Sequence, residues 1–258
     1  MKILKVPYSL GALEKSKGLE KGPDSIIGQL KDIWLSEDFK KIDYIVEELK
    51  INSELKKGLD KIFDEAISKI DEKTLFLGGD HSITYSCFKA FSRKNKNSCL
   101  LIFDSHPDCY KSFETPSHGD WLRYLIKEKE INPKQAILVG IRNPDIKEVE
   151  FLRDNKIKFY TMKQLNELDD FCDMLMETCR QYESLYISID IDVIDPAFAP
   201  GTGYIEPGGF TSRQFILLVQ RLKLLKNLKA IDIVEVNPLN DVNNMTSKLA
   251  AKIIAEFM

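Results

Sequence analysis

The sequence predicts an α/β protein, a three-layer α-β-α arrangement around a mainly parallel sheet, spread over one domain of residues 1–258. Two observations point there. Short apolar runs rich in β-formers alternate with helical patterns along the whole chain, as strands joined by crossover helices require. Several of those runs, such as Leu75-Phe76-Leu77 and Leu100-Leu101-Ile102-Phe103, are apolar at every position, which suits strands buried on both faces. No linker, internal repeat or low-complexity stretch interrupts the alternation.

Taken in order, the first strand is placed at Lys2–Tyr8. A helical stripe follows, with Leu55, Leu59, Ile62, Phe63, Ala66, Ile67 and Ile70 on one face. Strand Thr74–Leu77 leads into helix Ile83–Phe91, and strand Cys99–Asp104 leads through a loop to helix Trp121–Glu128. Strands Ala136–Ile141 and Lys158–Tyr160 come next, then a long helix over Met162–Tyr182. Strand Leu185–Ile191, helix Ser212–Leu224, strand Ala230–Val236 and helix Thr246–Phe257 complete the series.

With 37 basic and 40 acidic residues the net charge is −3, so no strong field recommends nucleic acid or an acidic membrane as a partner. The basic run Arg221–Lys226 reads as the solvated face of a helix. No apolar segment approaches the roughly 20 residues that span a bilayer. Pro7 and the charges before it break the apolar core a signal peptide needs. Five cysteines with no C-x-x-C pair fit reduced, buried thiols and a cytoplasmic setting.

The chain has three histidines, and each lies in a polar cluster: Gly78-Gly79-Asp80-His81-Ser82, Asp104-Ser105-His106-Pro107-Asp108 and Ser117-His118-Gly119. A fourth cluster, Ser188-Ile189-Asp190-Ile191-Asp192, closes an apolar run. A parallel sheet gathers the carboxyl ends of its strands on one edge, where open α/β sheets bind ligands. Three of the clusters follow strands directly, and Glu235 marks a further strand end. If the strands stay extended, Asp104, His106 and Asp108 alternate onto one side, as do Asp190 and Asp192.

Four carboxylates so close raise one another's pKa unless cations neutralise them. Oxygen-rich ligation with some imidazole suits Mn2+, and two such ions activate water near neutral pH. Cys109, one residue beyond Asp108, is expected to turn away into the core. His118, at the end of a loop, suits either proton transfer or capping of the next helix.

These motifs resemble the arginase/agmatinase (ureohydrolase) family. The resemblance rests on Gly-Gly-Asp-His-Ser at 78–82, Asp-Ser-His-Pro-Asp at 104–108, Ser-Ile-Asp-Ile-Asp-Val-Ile-Asp-Pro at 188–196, Ala199-Pro200-Gly201-Thr202-Gly203 and Glu235-Val236-Asn237-Pro238. It implies a pair of Mn2+ ions, one held by His81, Asp104, Asp108 and Asp190, the other by His106, Asp104, Asp190 and Asp192. It further implies attack of activated water on a guanidinium carbon, with release of urea and an amine. Asp108 would orient the water and relay its proton, His118 would protonate the departing amine, and Glu235 would pair with the guanidinium. A homo-oligomer, trimer or hexamer, is implied as well.

For the substrate, Tyr110 stands where arginases carry an Asn and resembles agmatinases, so agmatine is favoured and arginine comes second. Asp145 matches the arginase residue that meets the α-amino group. Tyr204 replaces the usual Thr and puts bulk near the site. Other guanidino acids and formimidoylglutamate are further candidates. A non-catalytic metal-binding protein of the same fold is the alternative from another class.

Overall fold

The computed structural model describes residues 1–12, 17–51, 54–112, 114–165 and 167–258. Eight strands form one sheet: β1 (Lys2–Val6), β2 (Ile45–Glu48), β3 (Thr74–Gly78), β4 (Ser98–Phe103), β5 (Ala136–Ile141), β6 (Lys158–Thr161), β7 (Ser184–Asp190) and β8 (Leu228–Val234). Their order across the sheet is β2-β1-β3-β8-β7-β4-β5-β6. Every pairing is parallel, so the expectation of a mainly parallel sheet is met throughout.

The connections are helical: α1 (Gly22–Leu30), α2 (Leu55–Lys69), α3 (Ile83–Lys94), α4 (Trp121–Lys127), α5 (Ile146–Asp154), α6 (Leu168–Arg180), α7 (Ser212–Leu222) and α8 (Met245–Phe257). They divide between the two faces. Ile26, Leu175, Phe215, Val219 and Ile254 pack with Leu101, Ile187 and Ile231 on one side. Ile62, Phe88, Leu122 and Leu152 pack with Leu4, Phe76, Leu100 and Ile102 on the other. Strands β3, β4 and β7 are buried at every position, which explains their unbroken apolar sequences.

Four elements differ from the sequence reading. β2 is an edge strand, paired only with β1 and half exposed, so it lacks the apolar run that marks its neighbours. α1 and α5 are not marked by apolar periodicity, yet their starts have local causes. Pro23 sits in the first turn of α1, where its missing N–H costs no hydrogen bond. Asp145 and Glu148 form a capping box for α5. The long helix expected at Met162–Tyr182 is a 3-10 turn at Met162–Gln164 followed by α6; residue 166 of that span, like residue 113 of the loop before His118, lies outside the described residues.

The four central strands carry the chemistry. Their order β3-β8-β7-β4 places the ends that precede His81, Glu235, Asp192 and Asp104 side by side. β3 is followed in the chain by β4, but β8 and β7 lie between them in space. The strand order therefore changes direction at the position where such sheets bind ligands.

Candidate active site

Each cluster is turned into the site by a local backbone device rather than by strand alternation. β4 stops at Phe103, and Asp104 then accepts the backbone N–H of His106 through Oδ1 at 2.6 Å. Asp190 does the same for Asp192, at 2.8 Å, as the chain enters a 3-10 turn. Short side chains that bind the N–H two residues on are Asx turns. The D-x-H and D-x-D spacings are thus turn signatures here, which corrects the expectation of an extended segment. Asp108 departs further, with φ of 48° in the left-handed region, where few residues other than glycine settle.

The two Asx turns leave the second oxygen of each aspartate free. Oδ2 of Asp104 and Oδ2 of Asp190 lie 3.2 and 3.3 Å from Nδ1 of His81, and Oδ2 of Asp108 lies 2.8 Å from it. The other ring nitrogen, Nε2, is 2.9 Å from Ser188 Oγ, which itself donates to Asp232 at 2.7 Å. Ser188 has one proton and has spent it on Asp232, so Nε2 of His81 is the donor. Nδ1 is left facing the carboxylates. Both Nδ1 of His81 and Oδ2 of Asp104 are buried without a hydrogen-bond partner among the described residues.

A second group forms alongside. His106 Nδ1 lies 3.0 Å from Asp192 Oδ2 and 3.6 Å from Asp104 Oδ1. The donor atoms of His81, Asp104 and Asp108 lie close enough together to hold one ion, as do those of Asp104, His106 and Asp192. Asp104 belongs to both groups and is fully buried.

Electrostatics make the same demand. Burial raises the carboxyl pKa of Asp190 well above the ordinary range, with Asp192 and Asp104 adding to it. Asp108 is raised by burial and by Asp104. Burial opposes charge on the His81 ring, but its three carboxylate neighbours override that and hold the ring protonated far above its usual range. One Nδ1 proton cannot serve three oxygens, whereas a cation among them can. Orphaned atoms, donor types and crowding all fit a metal.

Glu235 follows β8 in a left-handed turn, φ 63°. Its Oε1 accepts the backbone N–H of His81 at 2.8 Å and lies 3.4 Å from Nδ1 of His118. Its Oε2 is buried and has no hydrogen-bond partner among the described residues. His118 reaches this position through the N-terminal loop: its N–H donates to the Gly11 carbonyl at 3.0 Å, and the Gly11 N–H donates to buried Asp80 at 2.8 Å. Gly79 has a steric reason to be glycine, since a Cβ there would meet the Tyr8 carbonyl oxygen at 2.1 Å.

These groups surround a cavity of about 280 Å³ lined by His81, His106, Asp108, His118, Asp190, Asp192 and Glu235, together with Tyr110, Gly119, Glu148, Thr202 and Tyr204. Tyr204 faces both His106 and His118, with ring centroids 6.1 and 5.5 Å away. Tyr110 lines the cavity and is 40% exposed. Asp145 is not among the lining residues; it caps α5, accepting the Lys147 N–H at 2.8 Å. Cys109 is buried, with its N–H donated to Glu148, consistent with a core role.

Sequence reasoning overlooked four contributors. Glu148 lines the cavity, and its position three residues after Asp145 is a legible capping box. Ser188 and Asp232 orient His81 from behind, and Trp121 touches both His81 and Asp108. Trp121 lies three residues after His118, but nothing local in the sequence announces the contacts of these last three.

Among proteins of known sequence, the chain is 35% identical to proclavaminate amidinohydrolase from Streptomyces clavuligerus over 196 residues, covering 74% of this chain and 62% of that protein. It is 30% identical to arginase from Staphylococcus aureus over 290 residues, covering 99% of this chain and 95% of that one. Among solved structures, formimidoylglutamase from Bacillus subtilis superposes with a TM-score of 0.93 at 26% identity, over 99% of this chain and 85% of that chain. The arginase family model matches residues 1–258. With that match over its full length, the chain belongs to the arginase family.

Proposed function

We propose that this protein is a ureohydrolase: a hydrolase that uses two Mn2+ ions to cleave a linear guanidino compound to urea and an amine, with agmatine, which gives putrescine, as its substrate. The observation that carries the reading is the buried Oε2 of Glu235, unpartnered among the described residues, beside the His81–Asp104–Asp108 group. A metal-binding protein without catalysis needs no such carboxylate at its floor, and a guanidinium supplies the N–H donors it lacks.

His81, Asp104, Asp108 and Asp190 would hold one ion, and His106, Asp104, Asp190 and Asp192 the other. When bound, the ions supply an activated water at neutral pH and polarise the reacting carbon's substituents. Glu235 would fix the plane of the guanidinium. Asp108, at the cavity wall, would orient the water and accept its proton. His118, held beside Glu235, would deliver a proton to the departing amine. Burial disfavours charge on His118, yet the hydrogen bond and charge of Glu235 outweigh it and raise its pKa to about 9, so the ring carries the proton that this task needs.

The cavity wall supports an amine-terminated substrate. Among the described residues, those lining the cavity include no lysine or arginine to receive a carboxylate, whereas Glu148 offers an acceptor for a second cationic end. Arg142 is close by, but its guanidinium is spent on the backbone carbonyls of Gly140, Asp192, Val193, Glu206 and Pro207. Asp145 would act from the rim, through the capping box that holds Glu148. Arginine is the second reading, favoured by the match with arginase.

The decisive experiment measures urea or amine release with added Mn2+ on agmatine, arginine, other guanidino acids and formimidoylglutamate. Agmatine is expected to give the highest kcat/KM. No turnover on any of them would favour the non-catalytic alternative. The family resemblance also supports a homo-oligomer, trimer or hexamer, which sedimentation analysis tests directly.

A further inference from the structure

Trp121 opens α4 and is fully buried, yet it packs on the predicted metal ligands rather than only in the core. Its indole Nε1–H donates to Oδ2 of Asp108 at 2.7 Å. Its ring lies on the His81 imidazole, with centroids 4.8 Å apart and planes inclined by 44°. The same Asp108 oxygen is 2.8 Å from His81 Nδ1. One side chain therefore touches both members of the closest ligand pair in the site.

The chemistry of this contact is restrictive. Indole is a donor only, and buried away from water it must find an acceptor. A carboxylate accepting that bond makes a charge-assisted contact with a defined direction. Asp108 needs such a restraint, because its backbone sits at φ 48° outside any helix or strand. The next residue supplies a second hold: the Leu122 N–H donates to the Asp108 carbonyl at 3.2 Å. Two consecutive residues of α4 thus pin Asp108 at its backbone and at its side chain.

We propose that Trp121 is a positioning residue for the metal centre, and that its indole N–H fixes the Asp108 carboxylate toward His81 and Asp104. The inference rests on the reading of this cluster as a metal site. Groups that orient a ligand in this way set metal affinity, and losing one typically costs about 10-fold or more.

The protein has two tryptophans, which makes the test clean. Trp34 is 81% exposed and lies away from the cavity, so Trp34→Phe leaves Trp121 as the sole indole with the site intact. In that background, titration with Mn2+ should quench Trp121 emission saturably. Biosynthetic replacement of the remaining tryptophan by benzothienylalanine exchanges the N–H for sulfur and keeps the shape. Calorimetric titration should then show the ion held by His81 and Asp108 bound about 10-fold more weakly, with the melting temperature little changed. Trp121→Phe should show the same weakening together with a lower melting temperature, since it also leaves a void.

Unchanged Mn2+ affinity in the benzothienyl protein, with the parent binding normally, would overturn the role of Trp121 alone. A parent that binds no Mn2+ would overturn both this inference and the metal-centre reading beneath it.

Discussion

Ser188 accepts from Nε2 of His81 across 2.9 Å and donates its own hydroxyl to Asp232 across 2.7 Å. This relay keeps the proton on Nε2 and leaves Nδ1 toward the carboxylates. Asp232 is itself anchored by the hydroxyls of Thr84 and Tyr186, at 2.8 and 2.7 Å, so the acceptor at the end of the chain does not move. Ser188→Ala should free the imidazole to change tautomer. Mn2+ binding at the His81 group should weaken about 10-fold, measured by competition with a chelator. Unaltered affinity would refute the relay.

The proposed function gives His81 and His118 separate jobs, a metal ligand and a proton donor, so their asparagine variants should part company. His81→Asn removes a ligand and should deplete bound metal, read by elemental analysis after gel filtration. His118→Asn should keep the full complement of metal while kcat falls by about 10²–10⁴, the usual contribution of a positioned acid. Metal loss in the His118 variant would contradict its place outside the ligand set.

Tyr204 stands between the two rings that flank the cavity, His106 and His118. Tyr204→Thr should open the site and shift relative kcat/KM among short and long guanidines. Equal ratios in the parent and the variant would remove Tyr204 from the specificity argument.

The His118–Glu235 pair predicts a pH signature in the metal-free protein. The His118 pKa is about 9 when folded, against an ordinary 6.5. Between those values the native state holds a proton that the unfolded chain has released. The pair's stabilisation is therefore complete below about pH 6.5 and is lost as pH rises through about 9. Denaturant midpoints of the metal-free parent should fall across that window, and His118→Asn should flatten this part of the fall. A parallel decline in both proteins would assign the slope to other groups.

Glu148 tests the substrate's far end. Glu148→Gln should raise KM for agmatine with little change in kcat, as expected when a distant binding contact is removed. A guanidine without a terminal amine should be indifferent to the change. An equal effect on both would show that Glu148 acts through the capping box of α5 instead.

The periodic apolar runs, the parallel sheet and all six metal-ligand candidates are legible in the sequence, because strand burial and the strand-end motifs are local patterns. The D-x-H and D-x-D spacings also carry their own turn chemistry, although it is the Asx turn and not strand alternation that aims Asp104 and Asp190. Other features depend on contacts between segments far apart in the chain. The sheet order sets β8 and β7 between β3 and β4, and so brings Glu235 beneath His81. Ser188 reaches His81 across more than a hundred residues of sequence and brings Asp232 behind it. Asp145 and Glu148 show the division within a single motif: their spacing announces a helix cap, but only packing against Cys109 decides that Glu148 lines the cavity while Asp145 does not. Residue type and spacing set what each group is able to do, whereas its partner and direction follow from burial, which no local window of sequence contains.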